Sequence, residues 1–257
     1  MSFSEQYIAF VTIMRKEMKR FLRIWTQTLV PPVITITLYF IIFGNLIGQR
    51  IGDMSGVSYM EFVVPGLIMM SVITSAYSNV VSSFFGAKFQ RFVEEILVSP
   101  TPNYIILLGF MMGGVMRGLM VGFIVTMVAL FFTDLQVHNL PLTIAIVVMT
   151  AIFFSICGFI NAIFANTFDD IQLVPTFLLT PLIYLGGVFY STDLLPDFWA
   201  LVSQVNPILY IVNAFRFGLL GISDVNVVWA FIMIFTFTVA AFCYAVRLLN
   251  SGARLRR

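Results

Sequence analysis

Charged residues make up only 10% of this sequence, and histidine occurs once. A soluble domain carries about 25% charged residues and about 45–50% apolar ones. Here the apolar share is 60% and the mean hydropathy is +1.00. Such a chain cannot cover its own surface with polar groups in water, so lipid must be its solvent. A net charge of +2 is too small to suggest nucleic acid. The two cysteines, Cys157 and Cys243, lie inside apolar runs and give neither a metal spacing nor a disulfide framework. The single histidine, His138, precedes Pro141 in a predicted external loop, with no nucleophile placed to pair with it. No His, Cys or carboxylate cluster has ligand spacing, so neither a catalytic nor a metal site is expected. The nucleotide-binding pattern Gly-x-x-x-x-Gly-Lys-Ser/Thr is also missing: none of the three lysines follows glycine or precedes Ser or Thr. An enzyme in its own right is therefore not expected.

What the chain has instead is long apolar runs. A helix needs about 20 mainly apolar residues to cross a hydrocarbon core. Six stretches qualify: 26–47, 59–84, 104–132, 142–165, 171–189 and 227–248. Helices are the economical choice, because backbone polar groups in lipid must be satisfied internally. The first run exceeds the roughly 7–15 residues of a signal-peptide core and lacks a small-residue cleavage site, so it reads as an uncleaved span. The 257 residues suit one compact membrane domain, 1–257.

Loop charge sets the orientation. With the N-terminus inside, the cytoplasmic side holds Arg15, Lys16, Lys19, Arg20, Arg23, Lys88, Arg91, Arg247, Arg254, Arg256 and Arg257. The opposite side holds only Arg50 and Arg216, so both termini are expected in the cytoplasm. Residues 191–224 are too apolar for a solvated loop, yet Pro196, Asn206, Pro207, Gly218 and Gly221 interrupt them. A single crossing there would carry the basic C-terminus outside. The segment is therefore expected to be an external re-entrant helical hairpin, joined at Asn206-Pro207 and packed on the fifth and sixth spans. Over residues 1–25, Tyr7, Phe10, Ile13, Met14, Met18 and Phe21 form one face, and Arg15, Lys16, Glu17, Lys19 and Arg20 much of the other. That pattern predicts an amphipathic helix along the cytoplasmic interface, its cations near anionic lipid.

The cytoplasmic stretch 86–102 reads GAKFQRFVEEILVSPTP. Phe89, Phe92, Val93, Ile96 and Leu97 recur at helical spacing, Lys88, Arg91, Glu94 and Glu95 lie between them, and Pro100 and Pro102 close the helix. Composition leaves two readings open: an interfacial connector, or a docking helix whose apolar ridge fits a groove on a partner.

In this stretch, Glu94-Glu95-Ile96-Leu97-Val98-Ser99-Pro100, with Gly113-Gly114 and Arg117-Gly118 in the following span, resembles the cytoplasmic loop of ABC-2 type transporter permeases. The later Leu194-Leu195-Pro196, Asn206-Pro207, Tyr210, Phe215-Arg216 and Gly221 resemble their external stretch, and Pro65-Gly66 fits as well. The likeness runs in order along nearly the whole chain. Within the family it resembles the YadH-type bacterial inner-membrane permeases, and more distantly nodulation and polysaccharide export permeases. The resemblance implies an exporter subunit of the bacterial inner membrane, working as a homodimer with a separate ATPase that binds the ATP and Mg. It also implies that Lys88, Arg91, Phe92, Glu94, Glu95, Ile96, Leu97 and Pro100 contact that ATPase. Substrate would pass along the first, second and fifth spans, where Tyr39, Phe43, Tyr77, Phe177 and Tyr184 are candidate lining aromatics. For any one of these, ordinary packing is the simpler reading. A channel, scramblase or assembly scaffold of the same topology is the alternative.

Three further features need a reading. Gly114, Gly118 and Gly122 recur every fourth residue of the third span, where they let another helix approach closely. Arg117, read as lying deep in that span, requires a structural partner or a role in gating or substrate contact. Asp169-Asp170 is expected to cap the fifth span, with a second ATPase contact as the other reading.

Overall fold

The computed structural model describes residues 1–54, 56–135 and 137–252; Arg254, Arg256 and Arg257 lie outside them. Helix α1 (Phe3–Arg23) opens with a capping box, in which Ser2 and Glu5 satisfy each other's backbone N–H. The chain breaks at Ile24 and continues through α2 (Trp25–Thr28), α3 (Val30–Tyr39), a π-helical stretch (Phe40–Ile47) and α4 (Gly48–Ile51). Pro31 and Pro32 fall in the first turn of α3, where a missing N–H costs nothing. A short hairpin, β1 (Asp53–Met54) with β2 (Val57–Ser58), reverses the chain. A second capping box, Ser58 with Glu61, starts α5 (Tyr59–Phe89).

Next come α6 (Phe92–Val98), α7 (Asn103–Ala129) and α8 (Leu140–Phe164). The segment α9 (Asp170–Val174), a π turn (Pro175–Leu179) and α10 (Thr180–Tyr184) leads to the bent pair α11 (Asp197–Val205) and α12 (Pro207–Leu220), before α13 (Val227–Ser251). The protein is thus an all-α membrane protein. Among the described residues, five helical segments are long and apolar enough to span a bilayer: Trp25–Gly44, α5, α7, α8 and α13.

The fifth expected span is shorter than its apolar run. Only three five-residue pieces are helical. They give about 20 Å of helix against a core about 30 Å thick. Gly187, at φ 68°, closes the turn that ends it. The hairpin of α11 and α12, bent by 85° at Asn206, fills the space beyond. As expected, α12 packs on the last span, α13; contrary to expectation, its other main neighbours are α8 and α5 rather than the fifth span.

Helix α5 is the hub, lying against α7 and α8 along most of its length. The glycine reading holds and extends. Gly118 and Gly122 face Ala76 and Val72 of α5, while Gly109 and Gly113 face Ile13 and Glu17 of α1. The start of α1 and the end of α13 lie at one end of the bundle, where Tyr104 donates to Gln6 (2.6 Å) and Asn103 to Asn250 (2.7 Å).

One charged residue sits elsewhere than expected, and another finds its partner. Glu17, assigned to the solvated face of α1, is fully buried, because α1 runs beside the first half of α7 and Gly113 leaves room for it. Ser83 donates to its carboxylate, and Arg20 lies 3.3 Å from it. Arg20 also donates to the Asn79 backbone and side-chain oxygens at 2.8 and 2.9 Å. Arg117 stands midway along α7, as read from the sequence, and donates to the carbonyl of Thr28 (3.3 Å) near the start of the first span. A carbonyl partner offsets part of the cost of a charge held within a span.

Candidate functional site

At the end that carries the termini, the expected docking segment is shorter than its periodicity suggests. Gly86 stays within α5, which runs on to Phe89. The chain then turns at Arg91, the one non-glycine residue with positive φ (62°) among those described, and α6 lasts seven residues before Ser99 and Pro100. The predicted apolar ridge is split. Val93 is buried and Ile96 and Leu97 are half-buried against the bundle, so these three hold the helix in place. Phe89 (61% exposed), Phe92 (49%) and Val98 (86%) face outward. Glu94, Glu95, Arg91 and Pro100 are exposed beside them. Lys88 instead ties helix ends together, its Nζ donating to the carbonyls of Ile163 (2.6 Å) and Ala165 (2.7 Å) where α8 stops. This supplies a cation and donors to carbonyls that a helix C-terminus leaves unpaired.

Phe168 joins this face, and the sequence reading did not single it out. Its ring lies 4.9 Å from that of Phe89 and 5.0 Å from that of Phe85, and it is 54% exposed. It is held there by the turn that starts α9. Thr167 Oγ1 accepts the Asp170 N–H (3.2 Å), and the Asp170 carboxylate accepts the Asn166 and Thr167 N–H groups (2.8 and 3.1 Å). These bonds, the Asn166 one foremost, hold the Asp170 carboxyl below the usual carboxylate range. The cap is therefore Thr167 with Asp170, and Asp169 takes no part in it. The Thr-x-x-Asp spacing was the signal that would have found it.

The candidate pathway aromatics separate into three groups. Tyr39, Phe43 and Tyr184 converge with Phe189, ring centroids 5.0–5.8 Å apart. The Tyr39 and Tyr184 hydroxyls meet at 3.3 Å, which joins the first span to α10. Phe177 stands 75% exposed on the π turn. Tyr77 is buried in the hub with its backbone against Gly158, away from the others.

At the far end, residues of the expected re-entrant hairpin form a buried bracket. Arg216 is fully buried beneath the hairpin, its guanidinium 3.8 Å from the Phe62 ring centroid. It donates to the carbonyls of Gly187 (2.7 Å) and Phe62 (3.3 Å) and to Asn213 Oδ1 (3.2 Å). Asn206 caps α12 through the Ile208 N–H and donates to the Leu182 carbonyl (2.6 Å), with Pro207 in the first turn. Tyr210 closes the hairpin by donating to Gln204 O (2.9 Å). Arg216 and Asn206 thus pair carbonyls left free where the short fifth span stops inside the protein.

Residues 8–220 match the ABC-2 type transporter family. The chain is 59% identical to the inner membrane transport permease YadH of Escherichia coli K12 over 250 residues, 97% of this chain and 98% of that one. It is 25% identical to nodulation protein J of Rhizobium leguminosarum bv. trifolii over 191 residues, 74% of this chain and 73% of that one. The corresponding protein of Rhizobium meliloti is 23% identical over 191 residues, 74% and 73% of the two chains.

Proposed function

Because the chain belongs to the ABC-2 type transporter family and is the membrane permease component of an ABC transporter, we propose that it is the export subunit of a two-protein machine. Two copies pair in the bacterial inner membrane, both termini in the cytoplasm, and each engages a separate ATPase that holds the ATP and Mg. The observation that carries this reading is the aromatic face of Phe89, Phe92 and Phe168 at the end with the termini, braced by Val93, Ile96 and Leu97. A face that is apolar, exposed and rigidly backed is what a protein partner requires. The balance of Lys and Arg supports that end being inside, and the name of the YadH relative agrees on the membrane. ATP-driven closure of the partner would push α6, and the bundle would rock as a body. Substrate would move along the first span and α9–α10, past Tyr39, Phe43, Phe177 and Tyr184, where a second copy would complete the wall.

The test is affinity purification of the tagged chain from native membranes, followed by an ATPase assay of what co-purifies. The wild type should bring down a P-loop ATPase. The Phe92→Asp/Phe168→Asp variant should lose it while staying in the membrane, since both rings are about half exposed. Recovery of the chain alone, with no effect of nucleotide on transport, would overturn the exporter reading.

A further inference from the structure

Helix α1 carries a cleft of about 770 Å³ lined by Arg15, Lys16, Lys19, Arg20 and Arg23 together with Thr12 and Ile24. Among the described residues, no acidic one lines it. Arg20 turns inward to Glu17 and Asn79, whereas Arg15, Lys16, Lys19 and Arg23 make no salt bridge among the described residues. Arg15, Lys19 and Arg23 repeat at every fourth position, a like-charge spacing that weakens a helix unless an anion lies between. Arg20 and Arg23 gain from the negative end of the helix dipole, but Arg15, Lys16 and Lys19 lie too far from it. At the C-terminal edge of the cleft the surface changes character: Leu22, Ile24 and Trp25 are exposed, and the first span starts at Trp25. Cations beside an exposed tryptophan at the start of a span mark the headgroup level of a bilayer.

We propose that this cleft binds the headgroup of an anionic phospholipid, the phosphate among the α1 cations and the acyl chains along Leu22, Ile24 and Trp25. Arg20 links the site to the hub, because the residue that lines the cleft also holds Asn79 of α5. A seated headgroup therefore fixes α1 against α5 and α7. The site depends on the membrane placement of the first span and not on any ATPase, so it can fail or stand independently of the docking face.

Full-length protein, purified and delipidated, would be titrated with phosphatidylglycerol or phosphatidylcholine and lipid adducts counted by native mass spectrometry. Phosphatidylglycerol should be retained in preference to phosphatidylcholine. The Arg15→Gln/Lys19→Gln/Arg23→Gln variant should lose that preference by about tenfold or more, given what each cation contributes near an anionic surface. Arg50→Gln, at the far end, should leave it unchanged. As a second readout, Trp25 can be the sole tryptophan in a Trp199→Phe/Trp229→Phe background. Its fluorescence should be quenched more by brominated phosphatidylglycerol than by brominated phosphatidylcholine, and the triple change should equalise them. Equal retention of both lipids, or an unaltered preference in the triple variant, would overturn the proposal. So would pyrophosphate binding at the cleft with no preference between lipids.

Discussion

The spans of this protein fall into two regions that use their apolar residues differently. In the hub the most apolar stretch of α5 is 78% buried within one chain and that of α7 is 67% buried; in the flanks the values are 17% for the first span and 11% for α13. Hydropathy does not explain the contrast, since α13 is more apolar than α5. Residue size does. Where α5, α7 and α8 meet, Gly114, Gly118, Gly122 and Gly158 bring backbones close, and contact replaces lipid. The flanks keep large side chains outward, and both π-helical stretches, Phe40–Ile47 and Pro175–Leu179, lie there. Such wide turns loosen a helix and recur at functional sites. The hub therefore has the character of a fixed frame, and the flanks that of the part free to change neighbours.

The largest effect should come from adding volume to the frame. A Cβ on Gly158 would stand 2.5 Å from the Tyr77 carbonyl, a backbone atom with nowhere to go. Gly158→Val should cost about 3 kcal/mol or more and lower the thermal midpoint of the purified protein, or prevent its accumulation. Gly86 has nothing within 4 Å of such an atom. Gly86→Ala should instead stabilise by about 1 kcal/mol through helix propensity. Equal effects at the two sites would erase the distinction between close packing and simple helicity.

Next in size is the bracket that fastens a flank to the frame. Arg216→Leu removes donors from Gly187, Phe62 and Asn213, and should cost about 2–4 kcal/mol. Limited proteolysis should then cut first within residues 185–196, where the short fifth span ends. Arg216→Lys keeps the charge but not the fork of donors, and should fall between the two. A Leu variant as stable and as protease-resistant as wild type would show that the fifth span needs no fastening.

The frame was largely legible in the sequence and the fastenings were not. Long apolar runs gave every crossing except the true length of the fifth, and Asn206-Pro207 gave the break in the hairpin. The glycines of α7 announced a close contact, though only the structure assigns Gly109 and Gly113 to α1. Charge misled wherever a partner lay far along the chain. Glu17 reads as solvated until Ser83 approaches it, Arg216 as external until Gly187 does, and Lys88 as a docking residue until α8 ends beside it. On α6 the periodicity was correct, but a seven-residue helix cannot show from its sequence which half of its ridge faces the bundle. Phe168 was invisible for a related reason: its exposure depends on a cap four residues long, Thr167 to Asp170.

The smallest effect sharpens the contrast most. Tyr39 and Tyr184 share one exposed hydrogen bond of 3.3 Å, inside a cluster whose contacts are otherwise ring against ring. Tyr39→Phe, Tyr184→Phe and the double change should each alter stability by no more than about 0.5–1 kcal/mol. The double should equal either single, because one bond is lost in all three. If the flanks move against a second copy during transport, these variants should nonetheless change transport rate while the thermal midpoint barely shifts. If rate and midpoint instead fall together, or neither moves, the cluster is packing like that of the hub, and the working surface must be sought elsewhere on the flanks.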